Sequence, residues 1–156
     1  MITLNAMSQK DYDTYLSTAV TDYAGEKIKA GTWTEQLAFQ RASEEYQLLL
    51  PNGIETPDNY FYRIDHNETK VGVIWIAKST DNPETAFIYD LQILKQYQDQ
   101  GFGKQALKLA GDEALKIGFK NMALHVFGSN KRAIHVYRES GFKVTDINME
   151  KKLSKE

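Results

Sequence analysis

The 156-residue sequence contains no cysteine, which excludes disulfides, thiolate metal sites and a covalent cysteine nucleophile. Any group transfer by this chain is therefore direct or passes through another side chain. A surplus of one charge sign is also missing. With 19 basic against 21 acidic residues the net charge is -2, so no broad field draws nucleic acid or an anionic membrane, and a small-molecule or peptide partner is expected instead. The opening residues, MITLNAMSQKDYD, lack the basic start and apolar stretch of a signal peptide, and no apolar run reaches membrane-spanning length. That pattern reads as a soluble, cytoplasmic protein. Repeats, low-complexity tracts and linkers are absent too, so residues 1–156 read as one domain. Its 42% hydrophobic and 12% aromatic content suffices for a sizeable core.

What is present centres on Gln98 to Ala106, QDQGFGKQA, which follows an apolar run ending at Ile93 and opens a stretch of helical periodicity. Gly101 and Gly103, separated by Phe102, let backbone amides turn inward with no Cβ in the way. The first turn of the following helix presents unpaired N–H groups at the positive end of its dipole, where a phosphate or pyrophosphate sits well. By itself G-x-G at a helix start fits a tight turn as well as an anion cradle. A nucleotide site of the P-loop type fails, because G-x-x-x-x-G-K-[ST] is absent.

In chain order, Ile2 to Asn5 reads as a short strand. Ser8 and Asp11 open a helix with Tyr12, Leu16, Ala19 or Val20, and Tyr23 on one apolar face, ending near Gly31. A second helix starts at Thr34 with Phe39, Ala42, Tyr46 and Leu49 as its buried stripe, and Pro51-Asn52-Gly53 stops it. Tyr23 and Trp33, with Asp22 and Glu26, lie near this helix pair and fit either a groove lining or ordinary core and surface. Tyr60 to Asp65 and Val71 to Ala77 form a hairpin across His66-Asn67-Glu68-Thr69. After a turn at Asn82-Pro83 comes AFIYDLQI, Ala86 to Ile93; a regular strand places Ala86, Ile88, Asp90 and Gln92 on one side and Phe87, Tyr89, Leu91 and Ile93 on the other. A helix from Gly103 to Gly118, with Leu107, Ala110, Ala114 and Ile117 on its face, a strand from Met122 to Val126, and a helix from Asn130 to Ser140 stopped by Gly141 follow. Phe142 to Val144 and Ile147 to Leu153 read as short closing strands. The β–α–β order from Ala86 to Val126 implies a parallel pair, and the hairpins imply antiparallel pairing elsewhere. The fold class is α/β, a mixed and mostly antiparallel sheet with helices on both faces.

These residues resemble the GNAT family of N-acetyltransferases. The family's A motif, Q/R-x-x-G-x-G/A after a strand, stands here as Gln98-Asp99-Gln100-Gly101-Phe102-Gly103. Its second half, L-x-V-x-x-x-N-x-x-A-x-x-x-Y-x-x-x-G-F, is matched by Leu124, Val126, Asn130, Ala133, Tyr137 and Gly141-Phe142. The resemblance is clearest from Phe87 to Phe142 and implies a small member acting on an undefined amine. It implies that a parallel strand pair splays to admit the arm of acetyl-CoA, with the pyrophosphate on the loop of Gln98, Gln100, Gly101, Phe102, Gly103 and Lys104. Backbone groups of Leu91 and Ile93 then hold the pantetheine and acetyl amides, and the Ile93 amide faces the thioester oxygen. Asn130 contacts the arm and Tyr137 lies near its sulfur. Seven residues apart on one helix, these two share a face and stand about 10 Å apart along its axis.

The implied reaction is direct acetyl transfer to a primary amine of a small molecule or peptide, with no acetyl-enzyme and no metal. A non-catalytic acyl-CoA-binding sensor is the rival; it needs the glycine loop and Asn130 but not Tyr137. Asp90 is the candidate base, against a salt-bridge partner, an exposed strand-end residue or a relay of waters. Tyr137 also fits a buried aromatic with a satisfied hydroxyl. His66, His125 and His135 have no metal-ligand spacing. The sequence departs from relatives at Lys95, often Pro there, and at Asp99 and Gln100, where Gly and a basic residue are common, leaving Lys104 as the nearest compensating cation. An exposed sheet edge near the closing strands points to a homodimer.

Overall fold

The fold is built on the run Val71 to Ala77, which is buried without interruption, so its strand is covered on both faces. In the computed structural model, which describes residues 1–154, this is the third strand, β3 (Thr69–Lys78), of a five-stranded sheet. The others are β1 (Ile2–Ala6), β2 (Asn59–His66), β4 (Thr85–Ile93) and β5 (Asn121–Leu124). They lie in the order β1-β2-β3-β4-β5. The first three pairings are antiparallel and β4–β5 is parallel, as the β–α–β order requires. The β2–β3 hairpin turns through Asn67 and Glu68, with φ of 51° and 68° between the paired His66 and Thr69. Positive φ at both positions matches the twist of the flanking strands.

Helix α1 (Gln9–Lys29) starts at a complete capping box between Ser8 and Asp11. It lays Tyr12, Tyr15 and Ala19 on Phe61, Val73 and Trp75 of the sheet. Helix α2 (Glu35–Leu49) packs on α1 through part of the stripe expected, Ala42 and the half-buried Tyr46, but with Ala38 in place of Phe39 and Leu49. Ala38 and Ala42 are its fully buried residues, whereas Phe39 is 59% and Leu49 48% exposed. Two methyl side chains let the helices approach closely, and Phe39, about 100° round from Ala38, is carried out to solvent. Helix α3 (Phe102–Ile117) covers the other face, its Phe102 ring 4.9 Å from that of His66. Ile117, expected on its buried face, is 37% exposed. No helix among the described residues is long and apolar enough to cross a membrane.

The chain groups into two compact units, residues 1–125 and 126–156. The second contains α4 (Lys131–Glu139), capped by Asn130 and stopped by Gly141 at φ 98°. The closing strands expected at Phe142 to Val144 and Ile147 to Leu153 do not form: no strand follows α4 among the described residues. Alternating polarity suits a strand only where a ladder and a covering face exist, and Ile147, Met149 and Leu153 are 72%, 92% and 87% exposed. The homodimer expected on that edge has no strand there to rest on.

One glycine joins β3 to β4 tightly. A Cβ on Gly72 meets the Gln92 carbonyl oxygen at 2.2 Å, whereas one on Gly111, inside α3, meets nothing within 4 Å. Gly72→Ala should lower stability by about 1–3 kcal/mol through overpacking, and Gly111→Ala should raise it by about 0.5–1 kcal/mol through helix propensity. Urea unfolding checks both; equal effects from the two substitutions contradict the close β3–β4 approach.

Candidate active site

Strand β4 leaves its parallel partner halfway. Thr85 to Ile88 pair with Asn121 to Leu124, after which β5 ends while β4 continues to Ile93. From Tyr89 onward no strand among the described residues pairs with that edge. On the other edge the register slips by one: Trp75 faces Asp90 and Ile76 faces Ile88, so Tyr89 is an inserted residue. This β-bulge puts two consecutive side chains on one face. Tyr89 stacks on Trp75 at 4.7 Å, and Asp90 reaches Tyr15 of α1. The regular alternation expected through Ala86 to Ile93 therefore breaks at Tyr89. Beyond the bulge Asp90 and Gln92 share the α1 face, while Ile93 turns toward α3, its Cγ1 3.9 Å from where a Cβ on Gly103 would stand.

The ladder also sets where the backbone of β4 points. Gly72 faces Ile93, and the Leu94 N–H donates to the Val71 carbonyl at 2.8 Å. In an antiparallel ladder that makes Gly72 and Ile93 a non-hydrogen-bonded pair. The N–H and C=O of Ile93 therefore project away from β3, toward the side β5 has left. The Ile93 carbonyl accepts from the Gln98 side chain at 2.9 Å. Alternation gives Leu91 the same outward sense.

Gln98 thus ties the glycine loop to the strand end. Asp99 and Gly101 carry φ of 65° and 79°, and Gly101 is the N-cap of α3 with no side-chain cap bond. The first-turn amides of Phe102, Gly103 and Lys104 have no partner within the helix. Phe102 sends its ring into the core against His66, leaving its backbone for a ligand. A Cβ on Gly103 would enter space bounded only by Ile93 at 3.9 Å. Gln100 and Lys104 are exposed beside it. An uncapped helix start next to open, Cβ-free backbone fits a pyrophosphate.

On the α1 face the Asp90 carboxylate is partly buried. The Tyr15 hydroxyl donates to its Oδ2 at 2.7 Å and the Gln92 amide at 2.8 Å. Burial pushes its pKa above the ordinary 3.8, and the bonds from Tyr15, Gln92 and the Leu91 backbone amide pull it back. Tyr46 of α2 is pushed up to about 12, by burial first and then by the charges of Asp90, Glu26, Asp22 and Glu45. Tyr23 bonds Glu45, and its ring packs edge-on to Trp33 at 5.7 Å. Tyr15 was missed as a site residue. Its spacing from Tyr12 and Ala19 shows only a core stripe, and nothing in the sequence places Asp90 opposite it.

The second unit carries the remaining candidates. The Asn130 Oδ1 accepts from the Ala133 N–H at 3.1 Å, capping α4, so what it offers a cofactor arm is its Nδ2. The Tyr137 ring lies 5.9 Å from that of Phe142. Among the histidines, His66 packs on Phe102 and His135 pairs with Glu139 at 3.5 Å. No group of three or more potential metal ligands occurs among the described residues.

The model of the acetyltransferase (GNAT) family matches residues 24–142. The chain belongs to the GNAT acetyltransferase family. Like that family, it has acyl transfer as its class of chemistry. It is 37% identical over 154 residues to the uncharacterized N-acetyltransferase YycN of Bacillus subtilis (strain 168), covering 97% of this chain and 99% of YycN. It is 30% identical over 153 residues to the uncharacterized N-acetyltransferase YdgE of the same organism, covering 97% and 98%. The crystal structure of YycN superposes with a TM-score of 0.86 at 36% identity over 99% of this chain and all 100% of that one. The PaiA N-acetyltransferase of Thermoplasma acidophilum, solved in complex with coenzyme A, shares the GNAT fold at TM-score 0.67 and 23% identity, over 95% of this chain and 93% of its own.

The raised pKa of Asp90 makes a stability prediction. Protonated Asp90 is better tolerated in the fold than in the unfolded chain, so its contribution is full below 3.8 and is lost as pH rises through the raised folded value. Asp90→Asn never ionises, and its amide oxygen still accepts from Tyr15. Its urea midpoint should exceed wild type at neutral pH, with the gain fading as pH falls through the raised folded value and gone by pH 3.8. A gain that is the same at every pH means that Asp90 ionisation costs the fold nothing.

Proposed function

We propose that this GNAT protein transfers an acetyl group from acetyl-CoA directly to a primary amine of a small molecule or peptide. The observation that carries this reading is the half-released edge of β4 running into an uncapped, glycine-opened helix start. One side offers amides to an extended arm and the other offers a seat to its pyrophosphate. The first-turn amides of Phe102, Gly103 and Lys104, with Gln98 and Gln100 framing the loop, hold the phosphates. The Leu91 carbonyl and the Ile93 amide align the pantetheine arm as a strand would, and Asn130 takes an amide of that arm through Nδ2. The family model spans residues 24–142, across both compact units, which supports one acetyltransferase domain.

In the proposed reaction the amine nitrogen forms a bond to the thioester carbon while the Ile93 amide stabilises the oxyanion. The carbon–sulfur bond then breaks and the sulfur leaves with the electron pair, taking a proton from Tyr137; the acetylated nitrogen gives up its second proton and Tyr137 regains one, both through water. The proton lost by the ammonium passes to Asp90, directly or through a water, and on to solvent. A thiolate of reference pKa near 8.5 is a fair leaving group, so Tyr137 assists without being indispensable. An alkyl ammonium near 10.4 must lose its proton before it can attack.

Two measurements test this reading. Acetyl-CoA should raise the melting temperature of the wild type and not of folded Gly103→Val, because the valine side chain fills the seat; an unchanged calorimetric affinity in that variant sinks the assignment. Thiol release from acetyl-CoA should occur with at least one of spermidine, kanamycin, lysine amide and a short peptide with a free N-terminus. With that acceptor Tyr137→Phe should lower kcat by roughly a hundred- to ten-thousand-fold with little change in acetyl-CoA affinity. Wild-type turnover in that variant removes Tyr137 from the chemistry.

A further inference from the structure

We propose that Tyr15 of α1 is a positioning residue for Asp90: its hydroxyl fixes that carboxylate on the α1 face of β4, where it receives the proton of the acceptor amine. The proposal rests on the acetyl-transfer reading for its chemistry and on independent geometry for its residues.

The bulge at Tyr89 turns Asp90 to the α1 face, and a rigid donor waits there. Tyr15 is only 5% exposed and is held in the cluster of Phe61, Val73 and Trp75. Its ring direction is therefore fixed by packing, not by the bond it makes. Its hydroxyl and the Gln92 amide converge on one oxygen, Oδ2. Both bonds favour the ionised carboxylate, in a place where burial favours the protonated one. A base must be ionised to work, and the two donors favour that form against the opposing effect of burial.

Tyr15 and Gln92, the two donors to Asp90, also form part of the wall of an open cleft of about 100 Å³ between α1 and the adjoining ends of β3 and β4. Thr14, Thr18 and Lys70 also line it. The other ionisable groups acting on this corner are Asp22 of α1, which disfavours charge on Asp90, and Tyr46 of α2, which feels the Asp90 charge. A helix tie made for stability alone needs no carboxylate, since a neutral acceptor serves a tyrosine hydroxyl without the cost of a buried charge.

The direct test is a carbon-13 NMR titration of the Asp90 carboxyl in the free protein, wild type against Tyr15→Phe. Loss of a donor to the charged form should move the Asp90 midpoint to higher pH; a midpoint that stays put overturns the proposal. If Tyr15→Phe does not fold, the wild type still decides, because the Tyr15 Cζ signal must shift with the midpoint of Asp90, and a signal blind to that titration overturns it equally. With whichever of the four amines above turns over, the loss in kcat/KM for Tyr15→Phe should be largest at acid pH and close as pH rises past the shifted midpoint. A uniform loss at all pH values makes Tyr15 structural. Failure of the acetyl-transfer reading is seen separately, as wild type that neither binds acetyl-CoA nor releases thiol.

Discussion

The backbone hydrogen bonds that β4 does not make govern the rest of the molecule. A buried or half-buried strand normally has both edges satisfied, because an unpaired peptide group away from water is expensive. β4 stays paired with β3 on both sides of the bulge at Tyr89, as far as Ile93, but gives up β5 after Ile88. Its outward groups are then partnered piecemeal, as where the Gln98 side chain takes the Ile93 carbonyl, or stand ready for an extended ligand that supplies strand-like bonds. The parting also fixes where the glycine loop lies, since that loop starts at the end of β4 and is tied back to it. The open start of α3 and the outward backbone groups of β4 thus lie side by side because of one interrupted ladder.

The bulge is the second half of the same device. A regular strand gives each face every other residue, so a carboxylate at Asp90 would share a face with Ile88 and oppose Tyr89. One inserted residue gives the α1 face both Tyr89 and Asp90. The aromatic ring extends the packing of Trp75, while the carboxylate meets Tyr15 and Gln92. Stability and chemistry pull apart here: the fold tolerates a half-buried acid only because donors were recruited from α1 and from β4 itself. Proteins commonly accept such local costs at sites that act.

Much of this was legible in the residues. The β2–β3 hairpin, the capping of α1 by Ser8, the start of α3 at the glycine pair and the capping of α4 by Asn130 are short-range features, written in neighbouring residues. What was not legible depends on contacts far apart in sequence. The bulge involves Tyr89 and Asp90 and no glycine or other local marker, because it is defined by the register against Trp75. The buried face of α2 is set by how closely Ala38 and Ala42 bring it to α1; hydrophobicity pointed rightly to Ala42 and Tyr46 and wrongly to Phe39 and Leu49. The closing segment had the alternation of a strand and lacked a ladder. Tyr15, passed over for Leu16 on the apolar face of α1, was invisible as a partner of Asp90 for the same reason as the bulge.

The outward-facing backbone at the end of β4 is measured most directly by amide hydrogen exchange of Ile93 and Gln92, read residue by residue with and without acetyl-CoA. The ladder makes Gln92 a bonded neighbour of Val73, protected in both states, and leaves the Ile93 amide pointing off the sheet. Ile93 should exchange quickly in the free protein and slow markedly when acetyl-CoA is added, with Gln92 unchanged. An Ile93 amide already protected in the free protein, or one that acetyl-CoA leaves as fast as before while it raises the melting temperature, contradicts the account.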